Sequence, residues 1–496
     1  MNTVLDQLAL RATLQGDEVF LGECGRQLTF SEFSVQVRRC AAYFQTNGVG
    51  YGDRIILHIS GRTHHLTAYM AAMTIGAIPV HLYAERSVAE VACAVEQTTA
   101  VLVVTDQQRD AWAASSLPLI TVPDLNDSDL PQVQQCQPHE IAYMMLTSGT
   151  TGTPKAVMTT HANIGCVTRN LIQIAGMTDA ERELIVMPLG STGGLGHFHA
   201  HLWLGNYIQF MPCFFGTMTD ADRLQMLNII ESERMTGLLS TPGMLSQLAT
   251  QHREMFRGKA HRLRYILANV CPIRPELVID LMGLLPSTRF CTYYGLTEAS
   301  RSAAHCYNDN PEKLSAAGKA MSEVEIKIKD PDSQGIGEVM IRGQNVTAGY
   351  WGRDDALDAA GWLPTGDSGV IDSDGFLTIK GRVRDNINVD GLKFLPGDVE
   401  DVLKEHPAVA ECAVVGLPHP VKFQQPVAAV VTESAADRIT LQDQLDDHCS
   451  ERLAFYKRPT KYVFIDELPL TDLGKVRRDA LTEVILIQSE AALVTQ

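Results

Sequence analysis

Between residues 54 and 105, short runs of Ile, Val and Leu alternate with helix-length segments, and this alternation limits the fold more than any other feature. Arg54-Ile55-Ile56-Leu57-His58-Ile59 and Val101-Leu102-Val103-Val104-Thr105 read as strands. Residues 68 to 84 are apolar but interrupted by Thr74, Gly76, Pro79 and His81, too short and broken for a bilayer, and read as a buried helix running into a strand. Buried strands separated by helices imply crossover connections and therefore a largely parallel sheet. Upstream, Thr29 with Glu32 three residues later forms a capping box for a helix running through Phe44. No repeat and no low-complexity tract is present, which excludes solenoid and fibrous classes.

The chain has 496 residues, enough for several packed units. Past residue 380 the texture changes: residues 398–406 and 441–453 read as helices, and 410–415, 427–431 and 462–465 as short strands. A polar stretch, Gly381-Arg382-Val383-Arg384-Asp385, precedes them. The boundary is placed there, giving a domain of residues 1–383 and a second of residues 384–496. The fold class expected is α/β, with a large N-terminal domain of several subdomains and mainly parallel sheets, plus a small α+β C-terminal domain.

A net charge of −17 argues against nucleic acid as a partner, because no basic excess exists to neutralise phosphates over a wide surface. The eleven cysteines are odd in number and never form C-x-x-C, which speaks for free thiols in a reducing compartment rather than a disulfide framework or zinc knuckle. Residues 6 to 18 mix Arg11, Gln15 and Asp17 among short apolar pieces and lack a signal-peptide core. A cytoplasmic location and no membrane span are expected.

The chemistry is concentrated first in Tyr143-Met144-Met145-Leu146-Thr147-Ser148-Gly149-Thr150-Thr151-Gly152-Thr153-Pro154-Lys155. An apolar strand enters a loop of glycines and hydroxyls, followed by a helical run that Thr160 would cap. Glycines let backbone N–H groups turn toward an anion, hydroxyls add donors, and Lys155 brings a mobile positive charge. The pattern suits a polyphosphate but is not a Walker A motif, since Pro154 precedes the lysine and Ala156 follows it.

Residues 147–155 resemble the phosphate loop of the adenylate-forming superfamily of acyl-CoA synthetases, nonribosomal-peptide adenylation domains and luciferases. Further blocks follow in that family's order. Tyr294-Gly295-Leu296-Thr297-Glu298 resembles Y-G-x-T-E, and residues 337–343 with Gly349-Tyr350 resemble G-E-x-x-x-x-G…G-Y. Thr365-Gly366-Asp367 resembles T-G-D, residues 381–385 the interdomain hinge, and Pro469 to Arg478 the P-x-T-x-x-G-K-x-x-R segment.

The resemblance implies a role for each. Thr147, Ser148, Gly149, Thr150, Thr151, Gly152 and Lys155 would hold the phosphates, and Tyr294 with Gly295 the adenine. Thr297 would donate to a phosphate oxygen and Glu298 would hold magnesium (Mg2+); one carboxylate plus substrate oxygens is a usual magnesium arrangement. Asp367 would bridge the ribose hydroxyls, with Arg382 the cation on the ribose or α-phosphate side. Lys475 would bridge the acid's carboxylate and the α-phosphate as the residue of the first chemical step. Arg384 stands at the hinge, where the family more often has Asp or Lys. Gly391 would let a pantetheine arm pass close to the backbone.

Some segments depart from the pattern. Where many relatives have Pro-Leu-Phe-His, residues 187–196 read Met-Pro-Leu-Gly-Ser-Thr-Gly-Gly-Leu-Gly, with no Asp for an α-ammonium group. These small residues either leave room for a larger acid or allow close backbone packing. His197, His199 and His201 form H-x-H-x-H, which would face one side of a strand but fan apart on a helix; packing or pocket-lining roles are favoured over metal binding. Cys271 and Cys291 flank the expected site and read as small buried hydrophobes.

The function implied is ATP- and magnesium-dependent activation of a small-molecule carboxylic acid as an acyl-adenylate, then transfer to a thiol. Coenzyme A is favoured over the phosphopantetheine of an acyl or peptidyl carrier protein, because residues 387–393 with Pro396, Val399 and Glu400 resemble acyl-CoA ligases. Phe423-Gln424-Gln425 departs from the aromatic-Gly-acidic triplet common among them. A catalytically silent nucleotide-binding partner is the rival of another class, and the joint presence of Lys155, Glu298, Asp367 and Lys475 opposes it.

Overall fold

The computed structural model describes residues 3–84, 86–106, 119–121, 133–147, 155–211, 218–268, 273–353, 356–385, 387–389, 392–419, 423–432, 438–453, 455–471 and 474–494. Contacts divide the chain into two compact units, Met1–Ile326 with Ile341–Pro364, and Lys327–Met340 with Thr365–Gln496.

The first unit is built on two sheets whose interiors are parallel. In one, Leu119–Thr121, Leu102–Thr105, Arg54–His58, Ile78–His81 and Ile141–Thr147 lie side by side in that order, and Lys155–Thr160 closes the edge antiparallel. The run 68–84 resolves into helix Arg62–Thr74 and strand Ile78–His81, both almost wholly buried. In the other sheet six strands run parallel in the order Arg289–Tyr294, Tyr265–Ala268, Gly237–Ser240, Arg182–Ile185, Tyr207–Phe210, Val19–Glu23. Antiparallel strands Ala303–Cys306 and Arg26–Thr29 flank that run. Strands buried on both faces need apolar residues throughout rather than in alternation, which is why they read as continuous Ile, Val and Leu. The Thr29–Glu32 capping box starts helix Phe30–Thr46. No helix among the described residues is long and apolar enough to cross a membrane.

Helix Thr192–Leu204 packs beside this second sheet and carries two of the three histidines on one face and the third on another. His197 Nδ1 and His201 Nε2, four residues apart on one face, each donate to Glu183 Oε2 at 2.7 Å, while His199 Nε2 meets Tyr69 Oη at 2.9 Å. All three rings and Glu183 are buried; His197 and His201 pack on that carboxylate, and His199 also lines a cavity. No group of three metal-ligating side chains exists among the described residues.

Cys291 and Cys306 stand opposite each other across antiparallel strands and are joined as a disulfide, an exception to the expectation of free thiols; the other seven described cysteines are unpaired. Cys271 lies outside the described residues.

In the second unit, Phe423–Thr432 lies at the centre of an antiparallel sheet with Val409–His419 and Ile387–Val389, and Lys461–Phe464 joins it parallel. The helices expected at 398–406 and 441–453 are Pro396–Lys404 and Arg438–Arg452. Strand Leu377–Arg382 packs closely on the start of helix Pro396–Lys404 within this unit. A Cβ on Gly397 would lie 3.2 Å from the Lys380 carbonyl, and one on Gly381 3.3 Å from Leu395 Cδ2. Arg478 ties this unit together through both Glu400 oxygens, at 2.7 and 3.2 Å, and lies 3.4 Å from Asp385. Burial opposes its charge, but the Glu400 and Asp385 carboxylates outweigh that and raise its pKa.

Two outcomes follow from this packing. Burial, with lesser help from neighbouring cations, lowers His65 to about 4 and His199 to about 3 from an ordinary value of 6.5. The unfolded chain therefore binds protons that the folded chain refuses. Stability is full above about pH 6.5 and falls as pH drops, by up to about 1.4 kcal/mol per pH unit for each such histidine. Urea midpoints measured between about pH 7 and about pH 5 should decline steadily, and a flat profile would contradict the buried neutral state. Arg478→Met should cost the second unit about 2 kcal/mol by stranding Glu400. It should be read as faster amide exchange in peptides covering Pro396–Lys404 and Val409–His419.

Candidate functional site

Thr147 and Lys155 face each other as the last and first residues of an antiparallel strand pair. Ser148, Gly149, Thr150, Thr151 and Gly152 lie outside the described residues. The helix expected after the loop begins only at His161, capped by Thr160 as anticipated, with the strand Lys155–Thr160 intervening. Lys155 is thereby held by a sheet edge, and the positive end of that helix is a strand's length away from it.

The Gly349-Tyr350 block adds to this edge. Met158 N–H donates to Gly349 O at 3.0 Å and Trp351 N–H to Ala156 O at 2.9 Å. This register places the Tyr350 ring 4.5 Å from Lys155 Nζ, a cation–π contact, and Tyr350 Oη donates to Glu298 Oε1 at 3.0 Å. Thr347 N–H fixes the backbone of the same glutamate through its carbonyl at 2.7 Å. Three sequence blocks, around 155, 298 and 350, thus converge on one tyrosine. In the sequence Tyr350 is marked only by its place directly after Gly349, downstream of residues 337–343.

Tyr294 ends strand Arg289–Tyr294, pairs with Ala303, and is half-buried. Gly295, Thr297 and Glu298 lie in the connection that returns to Ala303, pinned by reciprocal backbone hydrogen bonds between Leu296 and Ala299 at 3.1 and 3.2 Å. Gly295 is obligatory there, since a Cβ would sit 2.6 Å from the Ala299 carbonyl and 2.7 Å from the Arg301 amide.

In the second unit, strands Leu363–Ile371 and Leu377–Arg382 set Asp367 opposite Arg382, with Arg382 Nε 3.0 Å from Asp367 Oδ1. Thr365 orients the turn by accepting from Asp367 N–H at 3.0 Å and donating to Val339 O at 2.7 Å. Lys475 is exposed beside a tight turn: Thr471 N–H donates to Lys475 O at 2.7 Å, Lys475 N–H to Thr471 Oγ1 at 3.1 Å, and Gly474 takes φ +75°. Arg384 falls in the short 3-10 turn Val383–Asp385, and Gly391 lies outside the described residues.

The small residues of 187–196 have a packing reason. A Cβ on Gly194 would collide with the Pro188 carbonyl, and one on Gly196 with the Arg301 guanidinium. Close packing, rather than open space, is what they provide.

The model of the AMP-binding enzymes matches residues 8–351, and that of the AMP-binding enzyme C-terminal domain matches residues 398–475. Among curated relatives, 4-coumarate–CoA ligase 2 of Oryza sativa subsp. japonica is 29% identical, over 92% of this chain and 87% of that protein. Among solved structures, o-succinylbenzoate CoA synthetase from Bacillus subtilis in complex with its acyl-adenylate intermediate aligns with a TM-score of 0.84 at 28% identity, over 96% of this chain and 97% of the other. The same enzyme in complex with ATP and a magnesium ion aligns at 0.83, again at 28% identity, over 96% of this chain and 99% of the other. Matched over most of its length, with the blocks at 155, 298 and 350 meeting in space, the chain belongs to the AMP-binding enzyme family.

Proposed function

We propose that this protein is an AMP-forming acid–thiol ligase, and the convergence of Lys155, Tyr350 and Glu298 is the observation that carries the reading. A cation and a carboxylate held on either end of one tyrosine suit a nucleotide polyphosphate and its counter-ion. Glu298 is half-buried, and with Oε1 oriented by Tyr350 its carboxylate would hold magnesium, which would neutralise phosphate charge. Thr297 would donate to a phosphate oxygen, Tyr294 and Gly295 would border the adenine, and Thr147 with residues 148–152 would wrap the phosphates. Asp367, oriented by Arg382, would accept from the ribose hydroxyls.

In the first step a carboxylate oxygen of the acid attacks the α-phosphorus of ATP, forming the acyl-adenylate as the bond to the β-phosphate oxygen breaks and pyrophosphate leaves. Lys475 would bring the two anions together and stabilise the charge that develops between them. In the second, a thiolate attacks the acyl carbon and AMP departs. Coenzyme A is the acceptor favoured by the kinship to CoA ligases, with Gly391 beside the pantetheine arm; a carrier-protein phosphopantetheine is the alternative. Rotation about Arg384, at the boundary between residues 1–383 and 384–496, would exchange Lys475 for Gly391 between steps. A cytoplasmic location is proposed with it, on the preponderance of free thiols.

Carboxylate-dependent exchange of labelled pyrophosphate into ATP tests the reading, and no exchange across a broad acid panel would leave only the silent nucleotide-binding alternative. Lys475→Ala should lower exchange by about 100-fold or more while leaving thioester formation from supplied acyl-adenylate. Tyr350→Phe keeps the ring under Lys155 but removes the donor to Glu298, and should raise the magnesium concentration needed for half-maximal exchange by about 10-fold. Thioester sought in parallel with coenzyme A and with carrier proteins identifies the acceptor.

A further inference from the structure

Three neighbouring strands of the first sheet begin side by side, and a cavity of about 270 Å³ lies at their starting ends. Tyr51 and Gly52 lead into Arg54–His58, Gly76 and Ala77 into Ile78–His81, and residues 136–140 into Ile141–Thr147. Lys155 pairs with Thr147, the last residue of that third strand, so the cavity stands a strand's length, about 20 Å, from the Lys155 end. Ligands of open α/β sheets gather at the carboxyl ends of the strands, and this cavity opens at the opposite ends.

The volume is ample for an aromatic ring, since a cavity of about 150 Å³ holds benzene. Buried Met73, Ala77 and Ile78 give it an apolar floor. The Tyr51 ring forms one wall: it lies so close over Gly76 that a Cβ there would meet Tyr51 Cδ2 at 2.3 Å, and its hydroxyl donates to Glu140 Oε1 at 2.6 Å. Glu140 Oε2 accepts from Gln137 N–H at 2.7 Å. Those two bonds lower the Glu140 pKa and keep the carboxylate ionised, while each oxygen can still accept once more.

His161, the first residue of helix His161–Ala175, lines the same cavity. It is 6% exposed and its Nδ1 has no hydrogen-bond partner. Burial lowers its pKa against the pull of Glu140 and Asp6, so the ring is neutral at neutral pH and can accept a hydrogen bond. No lysine or arginine is among the described residues bordering the cavity, so an anion would meet Glu140 without a countercharge. For a metal ion, no group of three ligating side chains exists among the described residues.

We propose that this cavity binds a small organic amine, with its ammonium group at Glu140 and His161 and its apolar or aromatic body between Tyr51 and the floor. A carboxylate and an aromatic face together recognise a cation, one through a charge-assisted hydrogen bond and the other through its ring quadrupole. Such a site goes beyond the ligase reading and stands without it.

Isothermal titration calorimetry on the full-length protein, with 2-phenylethylamine and its uncharged counterpart 2-phenylethanol, is the test. The amine should bind with a Kd at least about 10-fold lower than the alcohol. Glu140→Gln should bring the two within about 3-fold of each other, and Tyr51→Ala should weaken the amine by about 3-fold or more. Tyr51 is exposed and Glu140 half-buried, and a thermal unfolding midpoint near that of the parent protein shows that each variant is folded. Saturating ATP should leave the Kd of the amine in place. No binding of the amine, equal affinity for amine and alcohol, displacement of the amine by ATP, or a preference for the amine that survives in folded Glu140→Gln protein overturns the proposal, as does an affinity unchanged by Tyr51→Ala.

Discussion

Tyr350 joins three segments that are far apart in sequence. Its ring lies on Lys155 and its hydroxyl donates to Glu298, so the positions of a cation and a carboxylate are set by one side chain. The arrangement depends on backbone pairing: residues 347–351 must run along the edge of Lys155–Thr160, or the tyrosine would face elsewhere. A one-residue slip in that pairing would turn the ring to the opposite side. The glycine before it, at φ +123°, allows the chain to enter the edge at that register.

A second constraint is buried polarity. Glu183 is fully buried and would be expected to rise in pKa, yet N–H groups from His197 and His201 reverse that and lower it. The two histidines are one helical turn apart, so the carboxylate on the sheet fixes which face of helix Thr192–Leu204 packs inward. That orientation presents His199 and the helix start to the cavity where Arg301 lies. Gly194, Gly196 and the buried guanidinium, which donates to the Thr192 and Gly193 carbonyls, are then parts of one packing solution.

Much of the architecture was legible along the chain. Parallel strands buried on both faces leave continuous apolar runs, and Thr29 with Glu32 marks a helix start by local chemistry alone. The three histidines sit on a helix but do not all fan apart, since the spacing of four residues brings His197 and His201 to one face and one carboxylate. Other features were hidden because they join residues distant in sequence. Thr160 marks the start of helix His161–Ala175 by local chemistry, whereas the strand Lys155–Thr160 before it is short and exists through its pairing with Ile141–Thr147, a tertiary fact. The pairing of Cys291 with Cys306 came from strand register, and an odd, scattered cysteine count carries no register.

By itself, then, the sequence determined the class of sheet, the order of the chemical blocks and the residue types each offers, because propensity, capping and motif spacing act over a few neighbouring residues. Tertiary structure decided which of those residues meet. It put Tyr350 between Lys155 and Glu298, gave Glu183 to two histidines, and buried Arg301 against a helix start. Coulombic and hydrogen-bonding energies depend on distances in space and on burial, and neither can be read from position along a chain.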